Sequence, residues 1–198
     1  MANTCRTEIK IQASTDAVQN IVDRLEGCID GNYPNTKDDR PHLIDEFGAK
    51  AELLIDRIGS KWVTRYNGHD ESGISEFGEI REGVSELIFE LESAWYPPSD
   101  MILEIYRQVV ELSGGDDSDE EVKIFGSYWD EGYQPIGVFE VYYGQIIEEE
   151  NQDLDESEWE ERLEDEGRDP DYNSFWDEEV SPAFEDLQKK LDKVMEEI

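Results

Sequence analysis

The sequence predicts an α+β fold, a split β-α-β sandwich with an antiparallel sheet and helices on one face, followed by a helical acidic extension. Three observations carry this expectation. Five short segments have the alternating, β-branched and aromatic character of strands, and two others space their apolar residues as amphipathic helices do. Their order, strand, helix, strand, strand, helix, strand, strand, is that of a split β-α-β unit with one strand added. From residue 148 the composition changes: residues 148–198 hold 22 acidic and 5 basic side chains, which places -17 of the net -35 in 51 residues.

Residues 7–13 alternate Ile9, Ile11 and Ala13 with Glu8, Lys10 and Gln12, the pattern of a half-buried strand. Ser14 or Thr15 is placed to cap a helix whose Val18, Ile21, Val22 and Leu25 share one face, with Gly27 to stop it. Residues 28–48 read as a long loop with a turn of helix near 43–47, and residues 51–58 fit helix or strand equally. Residues 61–66 and 85–95 are expected to pair as strands, with 68–83 as the polar connection. Pro97 and Pro98 end the second of these, Ser99 or Asp100 caps, and Ile102, Ile105, Tyr106, Val109 and Leu112 form a helical stripe closed by Gly114. After the acidic loop 116–121, residues 122–129 and 136–143 read as a hairpin turning at Gly132 and Pro135.

A domain of residues 1–147 is therefore expected, with 148–198 as the extension. Within the extension, residues 156–166 are helical in propensity but carry only Trp159 and Leu163 as an apolar i, i+4 pair, so most of that helix should face solvent. Ser181 and Pro182 look like a cap and first-turn pair for a last helix with Phe184, Leu187, Leu191, Val194 or Met195, and Ile198 on one stripe. Such a stripe must dock somewhere.

Charge bounds the function. With 52 acidic against 17 basic residues, bare nucleic acid and anionic membrane surfaces are disfavoured partners, and a basic protein is favoured. The 37% hydrophobic content, with 5 Trp, 9 Tyr and 7 Phe, is too rich for a disordered acidic tail. Salt adaptation is a weaker explanation of the charge, because the chain keeps many Ile residues and 8 Lys. Two cysteines, Cys5 and Cys28, are too few for a disulfide framework. No apolar run approaches the roughly 20 residues of a membrane span, and a bacterial cytosol is the expected location. A homodimer is compatible with the sequence.

Four stretches resemble the YubB-like ferredoxin-fold family of phage and plasmid proteins: residues 3–22; Gly59-Ser60-Lys61-Trp62; 87–93 running into Ala94-Trp95-Tyr96-Pro97-Pro98; and 128–144 with its Asp130-Glu131-Gly132 turn. Together they cover most of residues 3–144. The resemblance implies a ferredoxin-like fold and an origin in mobile genetic elements, and it supplies no catalytic residues. The acidic segment 148–198 and the linker 68–83 depart from the family pattern.

No enzymatic machinery is visible. His42 and His69 lie in polar segments without a nucleophile motif, and with 52 acids any carboxylate spacing arises by chance, so no catalytic residue and no cofactor are expected. A calcium-loop template places Asp153, Asp155, Ser157 and Glu164 at ligand positions, but Glu158 stands where the turn needs Gly and Glu160 where an apolar residue is usual, so no metal is expected. Trp95, Trp129, Tyr133 and Tyr142 suit either an aromatic partner surface or the core, and core is the safer reading. What remains is the acid pattern. Glu156, Glu160 and Glu164 form one i, i+4 row, with Glu158, Glu161 and Asp165 beside it. The expected partner-binding face comprises these six with Glu148, Glu149, Glu150, Asp153, Asp155, Glu166, Asp169, Asp171, Asp177, Glu178 and Glu179. Its expected role is nucleic-acid mimicry: a phage or plasmid inhibitor occupying the basic groove of a DNA- or RNA-binding host defence protein of restriction or CRISPR type. The alternative is an acidic scaffold protein that docks through the stripe of the last helix.

Overall fold

Strict alternation makes the first strand the centre of the molecule. Cys5, Thr7, Ile9, Ile11 and Ala13 are buried on one face of β1 (Thr4–Ser14), while Arg6, Glu8, Lys10 and Gln12 lie half-exposed on the other. In the computed structural model, residues 4–28, 47, 63–65, 74–94, 96–114, 122–130, 133, 135–151, 154–168 and 172–198 are described. The expected features at 28–48 and 51–58 lie almost entirely outside them, as does Trp95; of those two stretches only Cys28, after the first helix, and Phe47, in a turn, are described, and both are fully buried. The fold is α+β with an antiparallel sheet.

Seven strands among the described residues form that sheet. They are β1, β2 (Val63–Arg65), β3 (Ile74–Arg81), β4 (Val84–Ala94), β5 (Lys123–Asp130), β6 (Ile136–Tyr142) and β7 (Gln145–Asn151). The order is β2-β4-β1-β5-β6-β7, and β3 also pairs with β4. β2 meets β4 at Leu91 to Ser93 and β3 meets it at Val84 to Phe89, so the two lie in tandem along one edge. The connection expected over 68–83 thus contains a strand. Its side chains, apart from half-buried Ile74, are all exposed, so no buried face left a period-two signal in the sequence.

Two helices cover the face on which Ile9 and Ile11 lie. α1 (Thr15–Gly27) begins at Ser14, whose hydroxyl accepts from Ala17 N at 3.4 Å, and it buries Val18, Ile21, Val22 and Leu25 as its spacing predicts. α2 (Ser99–Ser113) buries Ile102, Ile105, Tyr106 and Val109. It ends on Gly114 at φ 73, a left-handed conformation that glycine adopts without Cβ strain. Neither Ser99 nor Asp100 caps α2: the N-cap is Pro98, and the Ser99 hydroxyl turns back to the Pro97 carbonyl. Leu112, assigned to the stripe, is 45% exposed in the last turn.

Strand β7 runs through the boundary drawn at residue 148. Gln145 to Asn151 pair with Tyr142 to Ile136 in unbroken register, after a two-residue turn at Tyr143 (φ 48) and Gly144 (φ 71). Its sequence, Ile146-Ile147 followed by three Glu, does not alternate, because the two isoleucines pack on opposite faces of the sheet.

The C-terminal helices lie on the second face, so helices cover both sides of the sheet rather than one. α3 (Glu156–Glu166), α4 (Tyr172–Phe175), a π turn (Trp176–Val180) and α5 (Ser181–Glu197) build a separate apolar cluster with Tyr133, Ile136 and Val138. Ser181 does not cap the last helix. The chain is helical from Tyr172 onward, and Ser181 N donates to Trp176 O five residues back. Pro182 explains the wide turn: proline has no N–H for the carbonyl four residues earlier and its ring crowds that group, which the π turn relieves.

Between β5 and β6, two glycines lie under two rings. A Cβ on Gly126 would stand 2.0 Å from the Glu8 carbonyl oxygen and 2.9 Å from the Phe139 ring, and one on Gly137 would stand 2.3 Å from the Tyr128 ring. Gly126→Ala is expected to destabilise the fold by about 1–3 kcal/mol through overpacking. Gly78→Ala, where nothing lies within 4 Å of the new atom, is expected to stay within about 0.5 kcal/mol. Urea unfolding of both variants measures the difference.

Candidate functional site

The most concentrated exposed charge in a single described element sits on α3, and its two buried residues decide how it is presented. Trp159 and Leu163, 3% and 1% exposed, anchor one side of the helix to the cluster on the sheet. The helix starts at Asp155, whose Oδ1 accepts from Ser157 N at 2.9 Å and Glu158 N at 3.2 Å. It ends at Gly167 (φ 72), with Gly167 N donating to Glu164 O at 3.0 Å and Arg168 N to Leu163 O at 2.9 Å. Both ends are satisfied without outside help.

Successive residues advance by about 100° around the helix, so Glu156, Glu160 and Glu164 follow one flank of the buried stripe, while Glu158, Glu161 and Asp165 run along the side that faces away from it. Glu156 is half-buried and the other five are exposed. Among the described residues none of these six carboxylates forms an ion pair. Six charges over residues 156–165, at about 1.5 Å per residue, give roughly one per 2.5 Å of axis, against about 1.7 Å for duplex DNA.

Two arginines bridge the surface between the rod and the π turn. Arg162 pairs with Glu179 at 2.5 Å, and Arg168 pairs with Glu178 at 2.5 Å and Glu166 at 3.6 Å. The Arg168 guanidinium and then the Trp159 indole N–H, which donates to Glu178 Oε2 at 3.4 Å, help keep the Glu178 carboxyl below the usual carboxylate range. Trp159 also packs on Phe175, with centroids 5.1 Å apart, and Phe175 on Tyr133 at 5.4 Å. Trp129 meets Trp176 at 5.6 Å and Phe184 at 6.2 Å, so Trp129 and Tyr133 serve the docking of the C-terminal helices.

The seventeen expected acids therefore do not make one face. Glu179 is paired with Arg162, Glu178 and Glu166 share Arg168, and Asp155 is a helix cap. Asp177 is exposed on the π turn. Asp153, Asp169 and Asp171 lie outside the described residues. Glu148 and Glu150 are on the α2 side of β7, where Tyr128 Oη donates to Glu150 Oε2 at 3.1 Å, while Glu149 points to the α5 side. Six of the seventeen remain as a continuous outward surface. Sequence reading missed Arg162 and Arg168 as positioning residues, although they are the only arginines in 148–198.

The calcium-loop spacing has no loop beneath it, since Ser157 through Glu164 is helix. Among the described residues no three His, Cys, Asp or Glu side chains gather where a metal ion could be held. The stripe of α5 is partly occupied: Leu187 and Leu191 are 1% exposed against β6 and β7, Phe184, Val194 and Met195 are half-buried, and Ile198 at its end is 61% exposed. No helix among the described residues is long and apolar enough to cross a membrane. No family model, no curated protein and no solved structure matches the chain.

Two outcomes follow. Leu163→Ala should cost about 2–5 kcal/mol of stability, because it empties a buried site beneath α3, whereas Arg168→Ala, which breaks a solvent-screened pair, should leave the urea midpoint nearly unchanged. The Glu148 carboxyl is raised above its ordinary range by partial burial and then by the Glu150 charge. A carboxyl raised in the fold loses its proton later there than in the unfolded chain, so stability falls as pH rises from the usual carboxylate range through the raised value. Glu148→Gln should therefore raise the melting temperature at pH 7 and change it little at pH 4.

Proposed function

We propose that the chain is an acidic binding protein that occupies the basic, nucleic-acid-binding groove of another protein by presenting the carboxylate rows of α3 in place of phosphates. The observation that carries the reading is the outward spacing of Glu156, Glu160, Glu164, Glu158, Glu161 and Asp165 on a helix anchored by Trp159 and Leu163. Like charges at i, i+4 weaken a helix by a few tenths of a kcal/mol per pair, and a cationic groove returns that cost on binding. On this reading the protein is an inhibitor with no catalytic step and no cofactor. Its target is a DNA- or RNA-binding protein of a bacterial host, of restriction or CRISPR type, and its origin is a phage or plasmid.

The body is read as a ferredoxin-like fold of the YubB-like kind. Supporting this, β5, β1, β4 and β3 lie side by side in that order, with α1 and α2 as the two crossovers on one face. β6 and β7 extend that unit at one edge, and the C-terminal helices stand on the extension. The mimic surface thus belongs to what is added to the unit.

Capture of the target from a bacterial lysate, followed by binding at rising salt, tests the reading. Affinity should fall steeply with ionic strength and duplex DNA should compete. Changing Glu156, Glu160, Glu161, Glu164 and Asp165 together to Gln should weaken binding at least about a hundredfold while leaving the circular dichroism spectrum intact. Salt-independent binding would sink the proposal.

A further inference from the structure

The two edges of the sheet differ. The β3 edge is interrupted by register shifts between Ile74 and Glu76 and between Glu79 and Arg81, irregularities of the kind that turn an edge away from new strands. β7 has no bulge: its seven residues pair one for one with β6, and among the described residues no strand lies on its outer side. The two-residue turn makes Tyr142 and Gln145 a hydrogen-bonded pair, so Ile147 and Glu149 also bond inward to β6. The backbone N–H and C=O of Ile146 and Glu148 consequently point outward.

Charge decides what can lie there. A second copy pairing through β7 would bring two runs of Glu148, Glu149 and Glu150 together, six carboxylates at strand spacing, which disfavours a dimer by this edge. A cationic strand meets the opposite situation. On the α2 side Glu148 is partly covered but open to solvent, and the same face carries Glu150 two residues on, held by Tyr128. On the α5 side, Glu149 has the ammonium of Lys190 nearby, itself paired with Asp186 at 2.8 Å. One Lys or Arg on the α2 side of an added strand would lie within reach of both Glu148 and Glu150.

We propose that the outer edge of β7 binds a basic polypeptide segment in extended conformation, adding it to the sheet beside Ile146 and Glu148. Main-chain bonds to those two residues provide the attachment, and the carboxylates select for positive side chains. This surface is separate from the rows on α3, so the two readings fail separately.

The probe is a synthetic peptide of about ten residues alternating Val and Lys, with a control of equal charge carrying proline at every third position. With the full chain, the alternating peptide should bind at least about tenfold more tightly than the control, and should slow amide exchange at Ile146 and Glu148. Glu148→Pro removes an outward N–H together with the Glu148 carboxylate and should abolish that difference; Glu148→Gln with Glu150→Gln, which removes carboxylates and leaves the backbone intact, should weaken binding at least about fivefold and keep the preference for the alternating peptide. Gln substitutions at Glu160 and Glu164 should leave the peptide preference unchanged. Equal binding of the two peptides, protection at other amides only, or protection of Ile146 and Glu148 in the free protein would overturn the proposal. Protection that grows with protein concentration alone would assign the edge to a second copy instead.

Discussion

Everything in the fold hangs from the two-sided pairing of β1. It is bonded along its whole length to β4, from Thr4 opposite Ala94 to Ser14 opposite Val84, and along most of it to β5, from Cys5 opposite Asp130 to Gln12 opposite Lys123. Because side chains alternate with period two, that pairing fixes in one step which residues of three strands form the floor beneath α1 and α2. Ile9, Phe89 and Gly126 are aligned across it, and Gly126 has no side chain because Phe139 of the next strand lies over it. A slip of one residue in β1 would carry Arg6, Glu8 and Lys10 into the core.

The second constraint is the negative charge, and the molecule handles it unevenly. Where carboxylates fall on strands, several are matched locally: Glu92 by Arg6 at 3.6 Å, Glu8 by Lys10 at 3.1 Å, and Glu86 by the amide of Gln12 at 2.6 Å. The next layer, in the C-terminal helices, uses Arg162 and Arg168 as two pins between α3 and the π turn. Beyond those pins the acids of α3 have no such matching among the described residues. Cohesion there comes from aromatic rings, with Trp129, Tyr133, Trp159, Phe175, Trp176 and Phe184 packed edge to face or tilted. Apolar contact is insensitive to the surrounding charge, which is what a strongly acidic layer requires.

The elements legible in the sequence were those with one buried face. The alternation of residues 7–13, the spacing of Val18, Ile21, Val22 and Leu25, and the pair Trp159 and Leu163 each reported a single dry side, and each lies where its period places it. β3 and β7 were not legible, for opposite reasons: β3 buries almost nothing, and β7 puts Ile146 and Ile147 against two different layers. Of the candidate site, the helix and its two rows could be read, because i, i+4 spacing is local. The pairing of Glu178 and Glu179 with arginines 10 and 17 residues away in sequence could not, because it exists only once α3 folds back on the π turn.

The π turn before Pro182 has a consequence for the phase of the C-terminal rod. In an unbroken α-helix Phe175 and Leu187, twelve residues apart, would stand about 120° from each other around the axis. One extra residue absorbed in the wide turn takes back about 100°, which returns them to nearly the same side. Phe175 then faces Tyr133 while Val180, Leu187 and Leu191 face the same cluster further along. The turn therefore acts as a phase corrector. It lets two stretches of helix with different apolar registers lie on one sheet surface, and a single-residue deletion there would rotate one stretch against the other without altering its composition.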